Sequence, residues 1–528
     1  MQSNLNMLPG LAGKVTYEEQ NGRVLDYPMQ DVVPLSNDFA SIDILPVELL
    51  IEVFFQLRRG AGFNGDLVAA SHVCQRWRDV AIRTPELWTQ IKLDHVPSAA
   101  AFLERSQRLP VSLFLGVHPG DILPDVTYAL QPHLDRVRSF AAECAATVDM
   151  LTFQAIFDRP VSLRKLSLYL AEDAVDTAIH VHRAIDSFPI VRQELFPDVH
   201  ELTITNSPSI AINNFSRLAV LNLDGTLPAV GSILEALSTC PSLEKLNLVG
   251  SPLLDPDEDL TTVAHVVDLP RLESMYLRLD SADLNFAFLA NFVLPDWCAV
   301  DIDMDLDEED SFVGTPDVTC LRGLQRFEVA WGTKSELRIR GWKDPQAAVP
   351  TLKLNIMGVR KFATPLLLDW PVDVSGVRVL ALDLGGHEPD ELFDGLSRFP
   401  SLEALRVTRP AEFGLYFLCH SLQNVARVQL GDDDGDGQGV REAQLVLTHC
   451  PRLSSVDFGQ FDWSPRLKEM VVPVVKHRRA LAGPSFLLTL FDVRVRGEPE
   501  GESDCMYHAR FGGGTHGDVV EWVTEEGA

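Results

Sequence analysis

A run of aspartates toward the end of the chain has the residue types and spacing that bind calcium. Four residues occupy positions one, three, five and six of a twelve-residue calcium loop: Asp432, Asp434, Asp436 and Gly437. Position twelve is Ala443, so the bidentate glutamate is missing, and the preceding VARVQL predicts a strand instead of a helix. We therefore predict a solvated acidic loop at 432–436 and no metal site, with adventitious calcium binding as the alternative.

A second acidic group, at residues 301–310, has the period of a β-strand. Four aspartates alternate with apolar residues and lead into Glu308-Glu309-Asp310: Asp301, Asp303, Asp305 and Asp307. This alternation predicts a half-buried strand with one acidic face. That face could bind the lysine and arginine side chains of a basic partner, or it could be a solvated strand and loop.

Nothing in the sequence calls for catalysis or a cofactor. His180 and His182 could face one side of a strand, but no third ligand follows at metal spacing, so we interpret both as structural. The chain has no Gly-x-Ser-x-Gly elbow, no phosphate-binding glycine loop followed by lysine, no His-Glu-x-x-His and no dinucleotide fingerprint. We predict a non-catalytic protein with no cofactor and no metal.

The charge balance narrows the class of partner. The 528 residues include 45 Lys and Arg against 75 Asp and Glu, a formal net charge of −30. Such a charge disfavours nucleic acid and anionic membranes and favours basic partners. We find no apolar stretch long enough for a spanning helix, no signal peptide and no disulfide framework among the eight cysteines. We therefore expect a soluble protein of the cytoplasm, the nucleus or both.

Residues 45–91 carry more apolar surface than a few short helices can bury among themselves. Leu45-Pro46 is suited to open a helix, in which Leu49, Val53 and Leu57 recur every four residues. Two arginines and a glycine at 58–60 close it. A second helical stretch follows from Leu67 to Ala81. An exposed apolar face of this size usually marks a partner site.

These residues resemble the F-box. Ten positions match its pattern in order and spacing: Leu45, Pro46, Glu48, Leu49, Leu50, Leu57, Val73, Cys74, Trp77 and Arg78. The trailing TPELW at 84–88 and Ile91 look like the extension common in fungal, mushroom-type members. The resemblance implies docking onto a Skp-type adaptor and through it onto a cullin–RING ubiquitin ligase. The alternative is a small helical hairpin packed into its own domain.

Eight residues form the predicted adaptor-binding set. We expect some of them to be buried against the adaptor and others within the hairpin: Leu45, Pro46, Leu49, Leu50, Val53, Leu57, Val73 and Trp77.

Beyond residue 160 a second apolar pattern repeats. Each copy reads apolar, two variable, apolar, one variable, apolar, and the mean period is about 26 residues, which is typical of leucine-rich repeats. Twelve copies begin at Leu163, Val199, Leu218, Leu243, Leu272, Trp297, Leu324, Val349, Val377, Leu402, Val425 and Leu453. Each copy predicts one short strand whose fourth and sixth residues point inward. Helical spacing between strands, for example before Cys240, Pro400 and Cys450, completes a unit that only stacked neighbours can bury.

The repeats are degenerate. Repeats of this family carry Asn or Cys at the ninth position, where four copies here have Ala171, Ser207, Thr226 and Ser251. The predicted fold class is α/β: an N-terminal three-helix F-box followed by a leucine-rich-repeat-like solenoid of short parallel strands alternating with helices. A different layered α/β arrangement of the same strands stays open.

The strand register predicts which side chains point outward to form a recognition surface. These residues are Lys245, Asn247, Glu273, Tyr276, Glu328, Arg378, Glu403, Arg406 and Arg427. Their mixed chemistry suits a protein surface more than a small apolar ligand. A slip of one residue in the register would invalidate the list.

The predicted domain plan has five parts. They are a flexible leader at 1–40, the F-box at 41–94, a transition or capping segment at 95–160, the leucine-rich-repeat-like domain at 161–497 and a mobile tail at 498–528.

The predicted function is that of a substrate-recognition subunit of an SCF-type ligase. Its partners would be the Skp-type adaptor and a protein substrate, basic if the acidic strand binds it. A protein-interaction scaffold outside the ligase would need the same docking face and is the alternative.

Overall fold

The contacts of the chain divide it into two units, Met1–Thr84 and Pro85–Ala528. The computed structural model describes residues 45–58, 65–116, 123–144, 156–157, 159–170, 195–206, 215–252, 266–305, 318–332, 336–357, 372–385, 394–410, 419, 422, 425–428, 444–447, 450–463, 471, 473–478, 480, 486–495, 507–511 and 521–524. The predicted leader at 1–40 lies outside these residues.

Three helices make up the described part of the first unit: α1 (Val47–Arg58), α2 (Gly65–Ser71) and α3 (Gln75–Ile82). Pro46 precedes α1, and its carbonyl accepts the Leu50 N–H at 3.1 Å, so the helix begins where the sequence predicts. Cys74 caps α3, because its sulfur accepts the Trp77 N–H at 3.5 Å. The second predicted helical stretch is therefore divided in two by residues 72–74.

Four helices of the second unit are α4 (Val96–Arg105), α5 (Leu123–Leu130), α6 (Val230–Ser238) and α7 (Ala282–Leu289), and further helical residues lie at 471, 473–478 and 480. Short 3₁₀ turns lie at Pro85–Trp88, Gln131–Arg136, Thr319–Leu321 and Asp394–Arg398. The predicted helix before Cys240 is α6, and the one before Pro400 is only a 3₁₀ turn.

The strands of the second unit are β1 (Gln90–Lys92), β2 (Val111–Leu115), β3 (Val137–Cys144), β4 (Lys165–Leu170), β5 (Glu201–Thr205), β6 (Val220–Leu227), β7 (Lys245–Pro252), β8 (Val267–Asp268), β9 (Ser274–Leu279), β10 (Phe292–Val293), β11 (Ala299–Asp305), β12 (Arg326–Trp331), β13 (Leu337–Trp342), β14 (Leu352–Met357), β15 (Val379–Asp383), β16 (Ala404–Thr408), β17 (Val425–Val428), β18 (Gln444–Leu447), β19 (Ser455–Trp463), β20 (Leu487–Val495), β21 (Tyr507–Phe511) and β22 (Glu521–Thr524).

Eighteen of these strands form one mostly parallel sheet within the described residues. From β1 to β7 each strand pairs in parallel with the next along the chain, and β9 and β11 follow. After an interruption, β15, β16, β19 and β20 are again parallel neighbours. The mixed α/β class with short parallel strands is confirmed. The sheet also includes β2 and β3 in the predicted transition segment and β1 at the end of the predicted F-box segment.

The sheet departs from chain order between β11 and β15. There β14 pairs with β11, β13 lies antiparallel between β14 and β12, and β12 pairs with β15. The copies that begin at Leu324 and Val349 thus occupy exchanged places, contrary to a regular array. The reason is that β13 (LRIRGW) alternates at period two and can enter the sheet, although it lacks the repeat pattern. A spacing along the chain does not determine which strands become neighbours.

The inward positions of the repeats are buried as predicted in most copies. Leu221 and Leu223 of β6 are 1% and 2% exposed, and the first positions Leu218 and Leu243 are fully buried. Two first positions differ from these: Trp297 is 69% and Val349 is 64% exposed. At β11 the next residue, Cys298, is buried instead, and Val349 lies on the connection from the antiparallel β13, which the repeat pattern does not include.

Two further predictions fail near the C-terminus. The copy that begins at Val425 forms β17, which pairs antiparallel with β18 in a separate two-stranded sheet. The helix predicted across Leu447 is therefore a strand at 444–447. The predicted tail at 498–528 contains β21 and β22, which extend the main sheet by antiparallel pairing beyond β20. The sequence predicts a tail here because polar strands at the edge of a sheet carry little apolar pattern.

A left-handed backbone residue recurs at the eighth position of five copies. These residues are Asn206, Gly225, Gly250, Arg409 and Gln460, with φ of 58°, 82°, 127°, 50° and 57°. Asn206 also satisfies the neighbouring turn, because its Oδ1 accepts the Thr226 N–H at 3.2 Å. Gly225 and Gly250 are register partners on β6 and β7. The turn that a ninth-position asparagine would stabilise is thus made here one residue earlier.

We expect Gly250→Ala to lower the stability of the second unit. A Cβ at this position would lie 1.8 Å from the Gly225 carbonyl oxygen, and φ at 127° is unfavourable for alanine. The loss should be at least about 2 kcal/mol, measured from urea denaturation. The matched control is Gly323→Ala, which has φ at 82° but no atom within 4 Å of the added Cβ. Equal losses in both variants would show that the close approach contributes nothing.

Candidate functional site

The core of the first unit is made by the inward sides of α1, α2 and α3. Leu50 and Phe54 are fully buried, and the Phe54 ring meets Trp77 edge to face with the centroids 5.5 Å apart. The Arg76 guanidinium donates to the Leu45 carbonyl, which ties α3 to the residues ahead of α1. The exposed apolar residues of α1 are not part of this core.

An apolar stripe on α1 is left in solvent. Pro46, Leu49 and Val53 are spaced three and four residues apart, so they lie on one face of the helix. Leu49 is 54% and Val53 is 39% exposed, and Val73, in the connection between α2 and α3, is 62% exposed. Exposed leucine and valine side chains at this density favour contact with another protein.

The structure sorts the predicted adaptor-binding set into two groups. Leu50 and Trp77 are 0% and 7% exposed, so they fill the core and cannot be contact residues. Leu45 and Leu57 are half-buried, and the other four are exposed: Pro46, Leu49, Val53 and Val73. The set omitted Val47 and Ile82, which are 43% and 42% exposed. Ile82 is five residues after Trp77 on α3, a spacing that already places it away from the core.

Residues 42–94 match the family model described as F-box-like. This stretch is an F-box-like domain. It covers about a tenth of the chain and contains the exposed stripe on α1 as well as Val73. F-box domains bind Skp-type adaptors in cullin–RING ligases, and proteins that carry one are typically non-catalytic substrate receptors. A search of the curated proteins finds no match to this chain.

The end of the F-box-like match belongs to the second unit. Leu87 and Trp88 are fully buried there, with the Trp88 ring 5.0 Å from Phe102 and beneath the Arg105 guanidinium at 4.6 Å. Strand β1 then forms the first strand of the main sheet. The extension after Thr84 is therefore part of the sheet unit and not of the three-helix core.

A second candidate surface is the outward face of the sheet. One register row crosses its middle and brings together Asn247, Tyr276, Asp301, Lys353, Arg340, Glu328, Ala381 and Arg406. Four of the predicted recognition residues lie in this row: Asn247, Tyr276, Glu328 and Arg406. Lys245 lies two residues before Asn247 on the same strand face and is exposed. The sequence pattern did not predict Lys353 and Arg340 as part of this surface, because they reach the row only through the exchanged order of β12, β13 and β14.

The remaining predicted recognition residues lie elsewhere. Glu273, Arg378 and Glu403 are exposed residues that immediately precede their strands, and Arg378 lies 3.9 Å from Glu403. Arg427 is on β17 and is not in the main sheet, so its place in the predicted surface is wrong. The register argument fails for Arg427 because its strand pairs with β18 alone.

The acidic strand is paired within the protein. On β11, Ile302 and Met304 are buried while the aspartates face outward, which confirms the predicted alternation for residues 299–305. Asp303 accepts hydrogen bonds from the Tyr276 hydroxyl and the Asn355 amide, each at 2.7 Å. Asp301 lies 3.6 Å from the Lys353 ammonium. A basic segment would therefore have to compete with these partners, which weakens the expectation of a basic substrate at this strand.

Several predictions about metals and membranes concern only part of the chain. Within the described residues no three His, Cys, Asp or Glu side chains are grouped to hold a metal ion. No helix among them is long and apolar enough to cross a membrane. The segments 307–310 and 432–436, and the pair His180 and His182, lie outside the described residues.

We expect Tyr276 to ionise at unusually high pH. Burial raises its pKa to about 12, helped by the hydrogen bond to Asp303 and by the negative charges of Asp303 and Asp301. The neutral phenol is the favoured form in the folded state, so its contribution to stability is complete below about pH 10 and is lost as the pH rises through about 12.

The measurement is tyrosinate absorbance at 295 nm after a rapid pH jump, before the chain unfolds. Tyr276→Phe should remove one step near pH 12, and Tyr128→Phe, at an 85% exposed side chain, should leave that step in place. An unchanged titration curve for Tyr276→Phe would contradict the assignment.

Proposed function

We propose that this chain is a substrate-recognition subunit of an SCF-type cullin–RING ubiquitin ligase. Its F-box-like domain would dock a Skp-type adaptor, and the outward face of its sheet would bind a protein substrate. The observation that carries the proposal is the apolar stripe that the F-box-like domain leaves in solvent although its own core is complete.

The protein would act in the cytoplasm or nucleus. The trailing residues 84–91 support a place among the fungal, mushroom-type F-box proteins.

The adaptor contact would be made by exposed and half-exposed residues. These are Leu45, Pro46, Leu49, Val53, Leu57 and Val73, while Leu50 and Trp77 hold the helices in position. Fully burying one large apolar side chain contributes about 1.5–3 kcal/mol, so three or four such contacts could exceed the cost of association. The stripe needs a partner groove of matching apolar character.

The sheet would recognise the protein substrate and place it beside the ligase. Its parallel strands and the left-handed residue that recurs at the eighth position of five copies support the proposal of a degenerate leucine-rich-repeat solenoid. A substrate held on the outward face would have its lysines at high effective concentration beside the ligase. No step of the chemistry would fall to this chain, which acts by placing one protein next to another.

The test of adaptor docking is co-expression with a Skp-type adaptor, followed by size exclusion and a measured dissociation constant. We expect Leu49→Ala/Val53→Ala to weaken the complex about tenfold or more, because both side chains would lose apolar burial. Val266→Ala/Val293→Ala is the matched control, since both valines are at least half exposed in the second unit. Equal affinity for all three proteins, or no complex with the folded wild type, would refute the proposal.

Co-purification of cullin is a second measurement, and it distinguishes a ligase subunit from a scaffold outside the ligase. Cullin should co-purify with the wild-type chain and the adaptor. The adaptor without cullin would instead indicate a protein-interaction scaffold that binds the same adaptor outside the ligase.

A further inference from the structure

We propose that a cleft on the outward sheet face binds an acidic segment of a partner protein, through carboxylates that contact Arg278 and Arg340. The inference rests on the proposed function, because it names the class of substrate segment that the sheet would recognise. It replaces the expectation of a basic substrate, which was based on the aspartates of β11 alone.

The cleft lies across four neighbouring strands of the sheet. It is open to solvent, has a volume of about 520 Å³ and is lined by residues of β9, β11, β14 and β13 with Glu336 just ahead of β13. Three guanidiniums line it, from Arg278, Arg338 and Arg340. Met357, 42% exposed, adds an apolar contact. The groups that line the cleft thus suit a peptide with both polar and apolar side chains.

The cleft is lined by three guanidiniums and three carboxylates, which differ in how many of their hydrogen-bonding atoms already have a partner. Both oxygens of Asp303 accept hydrogen bonds, and both oxygens of Glu336 accept from Arg338, at 2.7 and 3.0 Å. Arg340 makes no hydrogen bond or ion pair with the described residues. Arg278 makes no hydrogen bond with them either, and its nearest carboxylate oxygen, on Asp305, is 3.8 Å away with both side chains more than half exposed. Two of the three guanidiniums thus keep free donors, whereas two of the three carboxylates already accept on both oxygens, which favours a ligand that brings carboxylates.

The spacing of the two arginines fits an extended chain. Arg278 is on β9 and Arg340 is on β13, with β11 and β14 between them. Three intervals between strands amount to about 14 Å, and Arg278 lies two residues, about 7 Å, further along the strands than the row of Arg340, so the two positions are about 16 Å apart. An extended peptide advances about 3.4 Å per residue, so carboxylates four residues apart span about 14 Å, and the long arginine side chains reach the remaining distance. Both arginines can then be satisfied by one short segment.

The net charge of −30 opposes an anionic ligand only at long range. At about 0.15 M salt the screening length is about 8 Å, so distant carboxylates contribute little to binding at the cleft. Contacts between a guanidinium and a carboxylate act at about 3 Å, where such screening is weak. Binding should therefore persist at physiological salt, although association at low salt should be slow.

The test uses the full chain and a fluorescein-labelled ten-residue peptide with glutamate at alternate positions and alanine or serine between them. Fluorescence anisotropy at about 0.15 M salt should show binding, with affinity reduced about tenfold or more in Arg278→Gln/Arg340→Gln. The matched control is Arg271→Gln/Arg452→Gln, which removes the same charge at two exposed arginines outside the cleft and should bind like the wild type. Peptides with glutamine, lysine or a single phosphoserine in place of the glutamates complete the set.

Each other outcome would overturn the inference. Preference for the lysine peptide would restore a basic substrate, and binding of the phosphoserine peptide alone would replace carboxylate by phosphate recognition. No binding of any peptide, or equal loss in both double variants, would exclude the cleft. The same variants are also assayed for adaptor binding, which should be unchanged, so failure of the cleft and failure of adaptor docking give separate results.

Discussion

The structure depends on one constraint: no strand of this sheet can bury its own apolar side chains. Leu221 and Leu223 of β6 are covered only because β5 and β7 lie in register on either side, with apolar pairs at the same height. Stacking of neighbours replaces the single central core that a chain of this length could not form. The register that buries one face also fixes which side chains form the other, so stability and recognition follow from the same strand pairing.

The exchanged strands between β11 and β15 satisfy this constraint in a different way. Leu352 and Leu354 of β14 pair with Val300 and Ile302 of β11, so the inward layer continues although the chain order does not. The outward layer changes, because β13 and β14 bring cations beside the aspartates of β11. An acidic stripe in the sequence becomes a mixed surface in which Asp303 is fully hydrogen-bonded and arginines are left over.

The two candidate surfaces differ in chemistry for a physical reason. The F-box-like domain has three short helices, too few to cover every apolar residue of α1, so Leu49 and Val53 stay in solvent. The sheet has neighbours on both sides of nearly every strand, so its apolar residues are covered and its free face is polar. One surface therefore suits adaptor docking by apolar burial, and the other suits recognition by charge and hydrogen bonds.

The sequence by itself determined the local elements. Helical period and Pro46 define α1, ten matched positions identify the F-box-like domain, and the repeated apolar spacing predicts most of the parallel strands with their inward leucines. Only the tertiary structure decided which strands are neighbours, that Leu50 and Trp77 belong to the core, and that Arg427 lies outside the main sheet. Side-chain period is a property of consecutive residues, whereas strand pairing and burial depend on residues far apart in the chain. For that reason Lys353 becomes the neighbour of both Asp301 and Arg340 in one row without any sequence pattern that joins the three.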